Sequence, residues 1–205
     1  KFENIVNLKG KEFIMINDIK FETSVFTKDK ILKTDLKQIV LVGKSNVGKS
    51  SFINTLANQK RLAKVGQTPG KTKSLNYYNV SNKYYIVDLP GYGYSTMTQA
   101  EKESTTALVN KYINNNKNIA HIFFLVDIRH KPTENDKIMY EWILEKNIPF
   151  TIVATKADKI AKTKTDEYLL QITKTLFAKE KIVPFSSESK INSDTIENII
   201  SECVK

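Results

Sequence analysis

The chain has 205 residues, 40% hydrophobic and 26% charged, with a formal net charge of +10. That length suits one domain with a sizeable core, and no stretch approaches the roughly 18 apolar residues of a membrane span. The one cysteine, Cys203, excludes a disulfide framework and points to a reducing compartment, so a cytoplasmic location is expected.

Residues 1–37 read as an N-terminal extension, with extended pieces at 13–16 and 21–26 packed on the edge of a core domain spanning 38–205. Gln38-Ile39-Val40-Leu41-Val42 is an apolar run suited to a buried strand. Directly after it stands Gly43-Lys44-Ser45-Asn46-Val47-Gly48-Lys49-Ser50, a complete G-x-x-x-x-G-K-[ST] phosphate loop, and Ser51-Phe52-Ile53-Asn54-Thr55-Leu56 continues as a helix. Strand, loop and helix in that order are what the motif needs. Gly43 and Gly48 let successive N–H groups turn onto anionic phosphates, and the helix dipole adds to their pull. Lys49 is expected on the β- and γ-phosphates and the Ser50 hydroxyl on Mg²⁺. Chance would produce such a match in a chain this long on the order of one time in a hundred.

Thr68-Pro69-Gly70-Lys71-Thr72 is a Thr/Gly-rich loop offering a second hydroxyl to Mg²⁺. Residues 75–80 and 83–87 form a hairpin around Ser81-Asn82. Its second strand delivers Asp88-Leu89-Pro90-Gly91, a D-x-x-G signature in which Asp88 holds Mg²⁺ through water and the Gly91 N–H meets the γ-phosphate. Residues 120–126 are an uninterrupted apolar strand. Residues 134–145 read as a helix with Ile138 and Trp142 facing the core.

Residues 148–154 form another buried strand, ending in Thr155-Lys156-Ala157-Asp158. The Asp158 carboxylate can accept hydrogen bonds from guanine N1–H and the exocyclic amine, while the Lys156 stem lies along one face of the base. Adenine would leave that carboxylate desolvated and unpaired, a difference that can reach roughly 10⁴ in discrimination. Residues 181–185 lead to Phe185, Ser186 and Ser187, whose backbone N–H groups can meet guanine O6. A last helix covers 195–204. These elements define an α/β three-layer P-loop domain: a mostly parallel sheet with one antiparallel strand and helices on both faces. Each signature falls at the C-terminal end of a strand, the ligand edge of such sheets, and the ligand is expected to be GTP or GDP.

With those residues in view, the chain resembles the translation-factor class of GTPases, and within it the EngB family of bacterial ribosome-assembly GTPases. The closer match is carried by the phosphate loop through Asn54, by residues 68–72, by Asp88-Leu89-Pro90-Gly91-Tyr92-Gly93-Tyr94, by Val126-Asp127-Ile128-Arg129-His130-Lys131-Pro132 with Asp136, by residues 154–159, and by 185–188. The resemblance implies that Thr72 is the switch-I magnesium ligand and that Gly70, Lys71, Thr72, Lys73 and Ser74 contact nucleotide; Lys73 stands where the family pattern has Gln. It implies a monomeric molecular switch that binds the large ribosomal subunit and its RNA and is needed for normal cell division and septation. Lys49, Thr72 and Gly91 are the expected catalytic set. Tyr92 occupies the position where Ras-like enzymes carry a water-orienting Gln, so slow intrinsic hydrolysis is expected. Asn46 is either a polar residue in a tight turn or, as in relatives lacking that Gln, a ligand for K⁺.

The remaining candidates are weaker. His121 reads as a structural histidine in a strand, and His130 has no partner for a metal. Arg129 is expected to pair with Asp136. Tyr92, Tyr94 and Tyr112 are open between stacking on RNA bases and packing. Nearly all the positive charge is Lys, with Arg only at 61 and 129, so charge alone divides evenly between a polyanion-binding surface and a solvated one. A signalling GTPase and an RNA scaffold with negligible hydrolysis are the alternatives.

Overall fold

The computed structural model describes residues 18–64, 73–93 and 97–205, together with the backbone of β1 (Ile5–Leu8) and β2 (Lys11–Ile14), which pair antiparallel. The main sheet contains β3 (Ile19–Val25), β4 (Lys37–Gly43), β5 (Leu75–Val80), β6 (Tyr84–Asp88), β7 (Ile119–Asp127), β8 (Phe150–Thr155) and β9 (Ile182–Pro184), in the order β3-β5-β6-β4-β7-β8-β9. β5 runs antiparallel to both its neighbours, and all other pairings are parallel. Among the described residues there are five α-helices, α1 (Lys49–Leu56), α2 (Gln99–Asn114), α3 (Glu134–Glu145), α4 (Thr165–Leu176) and α5 (Ser193–Cys203).

Alternation along the central strands makes two cores. Ile39 and Leu41 of β4 and Phe123 and Leu125 of β7 join Phe52 and Ile53 of α1 and Ile196 and Ile200 of α5 on one face. Val40, Val42, Ile122 and Phe124 meet Leu108 and Tyr112 of α2, Tyr140 and Ile143 of α3, and Ile172 and Leu176 of α4 on the other. The period-2 pattern of a strand buried on both sides thus produces the three layers. β4 has β6 on one side and β7 on the other, so connections leave it in opposite directions and open a crevice at its C-terminal end.

Two expectations change and one open reading closes. The N-terminal region does more than pack on an edge, since β3 is a strand of the main sheet, hydrogen-bonded to β5. Ile138 is 58% exposed rather than core-facing. The buried positions of α3 are Asp136, Tyr140 and Ile143, spaced four and three residues apart, which turns Ile138 outward while Trp142 stays partly buried against the core. Tyr112 is 1% exposed, with its hydroxyl donating to Gln38 at 2.6 Å, so it packs in the core and is closed to RNA bases. Of the 13–16 piece, Phe13 and Ile14 lie in β2, and Met15 and Ile16 fall outside the described residues.

Candidate functional site at the strand ends

β4 ends at Gly43, where a side chain has no room: a Cβ would lie 2.8 Å from both the Leu125 carbonyl oxygen and Val47 Cγ1. Asn46 (φ 60°) and Gly48 (φ 116°) then make the left-handed turns, which Asn and Gly adopt at least cost. The Val47 carbonyl accepts the Thr155 hydroxyl at 2.7 Å, tying the loop to the end of β8. Alone among the five helices, α1 has neither a side-chain cap nor an acidic residue in its first turn. Its leading N–H groups around Ser50 and Ser51 and its positive dipole end are left for an anion.

Lys49 is buried, its Nζ 3.4 Å from the Gly43 carbonyl oxygen and 3.9 Å from Asp88 Oδ1. The longer distance offsets charge without making a hydrogen bond, and Asp88 Oδ1 is buried with no partner. Burial raises the Asp88 carboxyl to about 6, against the pull of Lys49. An orphaned carboxylate oxygen beside a buried ammonium is costly, and a hydrated cation with a phosphate would relieve it. Among the described residues no group of three or more His, Cys, Asp or Glu could hold a metal. A cation here would therefore draw on hydroxyl, phosphate and water oxygens, the set that Mg²⁺ accepts. Of the expected ligands, Ser50 is the second residue of α1 and Asp88 ends β6, whereas Thr72 lies outside the described residues, with Gly70 and Lys71.

After β6 the Leu89 side chain enters the core and its N–H donates to the Leu41 carbonyl at 3.1 Å, with Pro90 and Gly91 also buried. Tyr92 bridges to Lys44 in parallel fashion, and its carbonyl accepts the Ser45 N–H at 3.1 Å. Its hydroxyl donates to Asp136 Oδ1 at 2.7 Å, while Asp136 Oδ2 accepts the Thr133 N–H and hydroxyl at 2.7 and 2.6 Å to cap α3. Both Asp136 oxygens are thereby engaged, and the expected Arg129–Asp136 pair does not form. Arg129 instead forks onto Asp127, Nε to Oδ1 at 2.9 Å and Nη2 to Oδ2 at 2.8 Å. Lys73 pairs with Glu101 of α2, and the Ser74 hydroxyl donates to Asn76 at 3.0 Å. Tyr94 lies outside the described residues.

On the far side, Lys156 Nζ reaches the Asn46 carbonyl and Asp127 Oδ2, both at 2.8 Å. Asp158 Oδ1 accepts the Ser186 hydroxyl at 2.6 Å, and Lys159 lies 2.9 Å from Oδ2. Against the desolvation of a partly buried side chain, those two donors hold the Asp158 carboxyl below its ordinary range. Ala157 N–H donates to the Phe185 carbonyl at 3.0 Å and Phe185 N–H to Ala154 at 2.8 Å, which seats the 185–187 turn beside the 155–158 turn. Phe185 itself is fully buried against Phe52, ring centroids 4.9 Å apart, so only its backbone can face a ligand. The phosphate loop and residues 126–133 wall a cavity of about 440 Å³ that Lys156 also lines.

Sequence reasoning places the signatures and includes Asp127 in the family segment without giving it a role, and it does not foresee the Tyr92–Asp136 link. The Asp-x-Arg spacing after an apolar strand was the available signal for the first. The second joins residues 44 positions apart and had none.

Residues 38–156 match the family described as 50S ribosome-binding GTPase. A probable GTP-binding protein EngB of Thermoanaerobacter pseudethanolicus is 40% identical over 188 residues, covering 91% of this chain and 98% of the relative. One from Clostridioides difficile is 40% identical over 190 residues, with 91% and 94% covered. In fold, a crystal structure of a probable GTP-binding protein EngB matches with TM-score 0.68 at 24% identity, covering 82% of this chain and 98% of its own. Era in complex with MgGDPNP and a piece of 16S ribosomal RNA matches with TM-score 0.66 at 24% identity, covering 84% and 58%. Fold and site together define a P-loop GTPase, an enzyme that binds and hydrolyses GTP. Within that class, the chain belongs to the EngB family of GTP-binding proteins.

Proposed function

We propose that this GTPase is a Mg²⁺-dependent switch acting on the large ribosomal subunit during its assembly. The observation that carries the reading is the convergence, at one sheet edge, of an open helix N-terminus, the buried Lys49–Asp88 pair with its orphaned oxygen, and the hydrogen-bonded Asp158–Ser186 turn. The phosphates would lie on residues 43–51, the base against Thr155, Lys156, Ala157, Asp158 and the 185–187 backbone, and the γ-phosphate near Gly91. Ser50 and Thr72 would ligate Mg²⁺, with Asp88 holding it through water. Bound there, Mg²⁺ neutralises charge on the β- and γ-phosphates. Lys49 stabilises the same charge from the protein side, while Gly91 and Thr72 sense the γ-phosphate and order their loops around it.

The large subunit is supported by the matched family, described as 50S ribosome-binding GTPase, while Era, a fold neighbour solved on a piece of 16S ribosomal RNA, supports ribosomal RNA as a ligand class but not the large subunit. A role in cell division would follow from failed subunit assembly. Cosedimentation with large ribosomal subunits tests the switch: binding with a non-hydrolysable GTP analogue and release with GDP are expected. Equal binding in both states, or none in either, would remove the switch on the ribosome. Asn46 is exposed and lines the cavity beside the phosphate loop. If it helps hold K⁺, hydrolysis runs faster in potassium than in sodium at equal ionic strength; equal rates leave it a turn residue.

A further inference from the structure

Lys156 is held at both ends. Its backbone takes the left-handed conformation (φ 61°) disfavoured for any residue with a Cβ. Its Nζ is fixed to the Asn46 carbonyl and to Asp127 Oδ2. Asp127 is in turn aimed by three donors of one residue, since Arg129 gives its backbone N–H and Nε to Oδ1, at 3.1 and 2.9 Å, and Nη2 to Oδ2 at 2.8 Å. The Asp127 side chain is only 16% exposed, so these contacts are little diluted by water. Asp127 belongs to neither the phosphate loop nor the T-K-x-D turn, yet it sits where the two are joined.

We propose that Asp127 is a positioning residue for the guanine nucleotide, drawing the Lys156 ammonium against the back of the phosphate loop and stretching its stem flat at the level of the base. Arg129 fixes the carboxylate in the orientation that does this. The inference rests on the reading of the 155–158 turn as the guanine site. A lysine stem free at its head explores many rotamers, and flattening it when nucleotide arrives would be charged against binding. Anchored beforehand, it costs the complex nothing further. Removing the Asp127 charge leaves Lys156 one neutral carbonyl in place of a charge-assisted pair. The base then loses its floor and the Asn46 turn loses its tether. Such losses fall chiefly on dissociation.

The test is stopped-flow release of fluorescent GDP and IDP from the full chain. Asp127→Asn is expected to speed release of both by roughly tenfold or more and by the same factor, because the two bases rest on one stem and differ only in the amine read by Asp158. Arg129→Lys, which keeps the charge but loses the fork, should speed both several-fold. In a Lys156→Met background, Asp127→Asn should add nothing, because its effect passes through the ammonium. A merely structural role would instead add its full effect there. Unchanged release, a shifted GDP-to-IDP ratio, or additivity with Lys156→Met would each overturn the proposal, and Arg129→Lys carries the same test if Asp127→Asn does not fold. A separate control, Asp158→Asn, should trade guanine for xanthine nucleotides; its failure would sink the guanine-site reading, independently of the release rates at Asp127.

Discussion

His121 sits on β7, 6% exposed, with Nε2 2.9 Å from the Thr151 hydroxyl, Nδ1 unpartnered, and its ring on Phe123 at 5.0 Å. Burial lowers its pKa to about 4. Between that value and the ordinary 6.5, the unfolded chain binds a proton that the native one refuses. Stability therefore falls as pH drops through that window, by about 3 kcal/mol at most. Asp88 acts in the opposite sense over an overlapping range, because burial raises its carboxyl to about 6 and the native state takes up the proton first. The two partly cancel, so the informative quantity is a difference. In chemical denaturation, His121→Gln should lose less stability than the parent between pH 6.5 and 4, with the two profiles parallel above pH 7. Parallel profiles throughout would mean that His121 protonates in the folded protein at its ordinary pKa.

At the scale of elements, the D-x-x-G segment is stapled twice, by the Tyr92 backbone to the phosphate loop and by its hydroxyl to the capping carboxylate of α3. The position that carries a water-orienting Gln in Ras-like enzymes is thus occupied by a side chain whose hydroxyl is held by the Asp136 carboxylate of α3. A half-buried hydrogen bond to a charged acceptor is worth roughly 1.5–3 kcal/mol. Tyr92→Phe should lower the melting temperature by several degrees while leaving the single-turnover hydrolysis rate within about twofold of the parent, a change under about half a kcal/mol. A rate collapse at unchanged melting temperature would assign the hydroxyl to the chemistry instead. Such links explain what the sequence could and could not disclose. Strands, phosphate loop, D-x-x-G and T-K-x-D were legible because each is a local pattern with a fixed physical purpose, and α3 was read to its end residues from its apolar spacing. Which face α3 buries was not legible, because Asp136, a charged residue, holds an inward position by capping its own helix and receiving Tyr92. The partner of Arg129 is hidden for the same reason: Thr133 and Tyr92 engage both Asp136 oxygens, and Asp127, two residues before Arg129, takes its fork together with the Lys156 ammonium.

Across the whole molecule, the excess of positive charge is a surface property rather than an internal one. Among the described residues, ion pairs engage six lysines and Arg129, against 32 Lys and Arg in the chain. Lys83, Lys111, Lys131, Lys162, Lys164 and Lys181 are all exposed and take no part in those pairs. Cations of this kind contribute little to folding, because water already solvates them, but they can release the counterions condensed on a nucleic acid. If the partner is ribosomal RNA, the binding constant should fall linearly with salt on logarithmic axes, with a slope that counts phosphates contacted. About five contacts would weaken association by roughly 10²–10³ between 50 and 200 mM salt. Replacing one contacting lysine should lower the slope by about one contact without altering the preference for the GTP form. Sedimentation with purified large subunits across that salt range, in GTP analogue, measures it. A flat profile would mean that the lysines are solvated surface and that recognition rests on shape and the ordered switch loops, whereas a steep slope identical in GTP analogue and GDP would describe a basic protein adhering to RNA without reading its nucleotide.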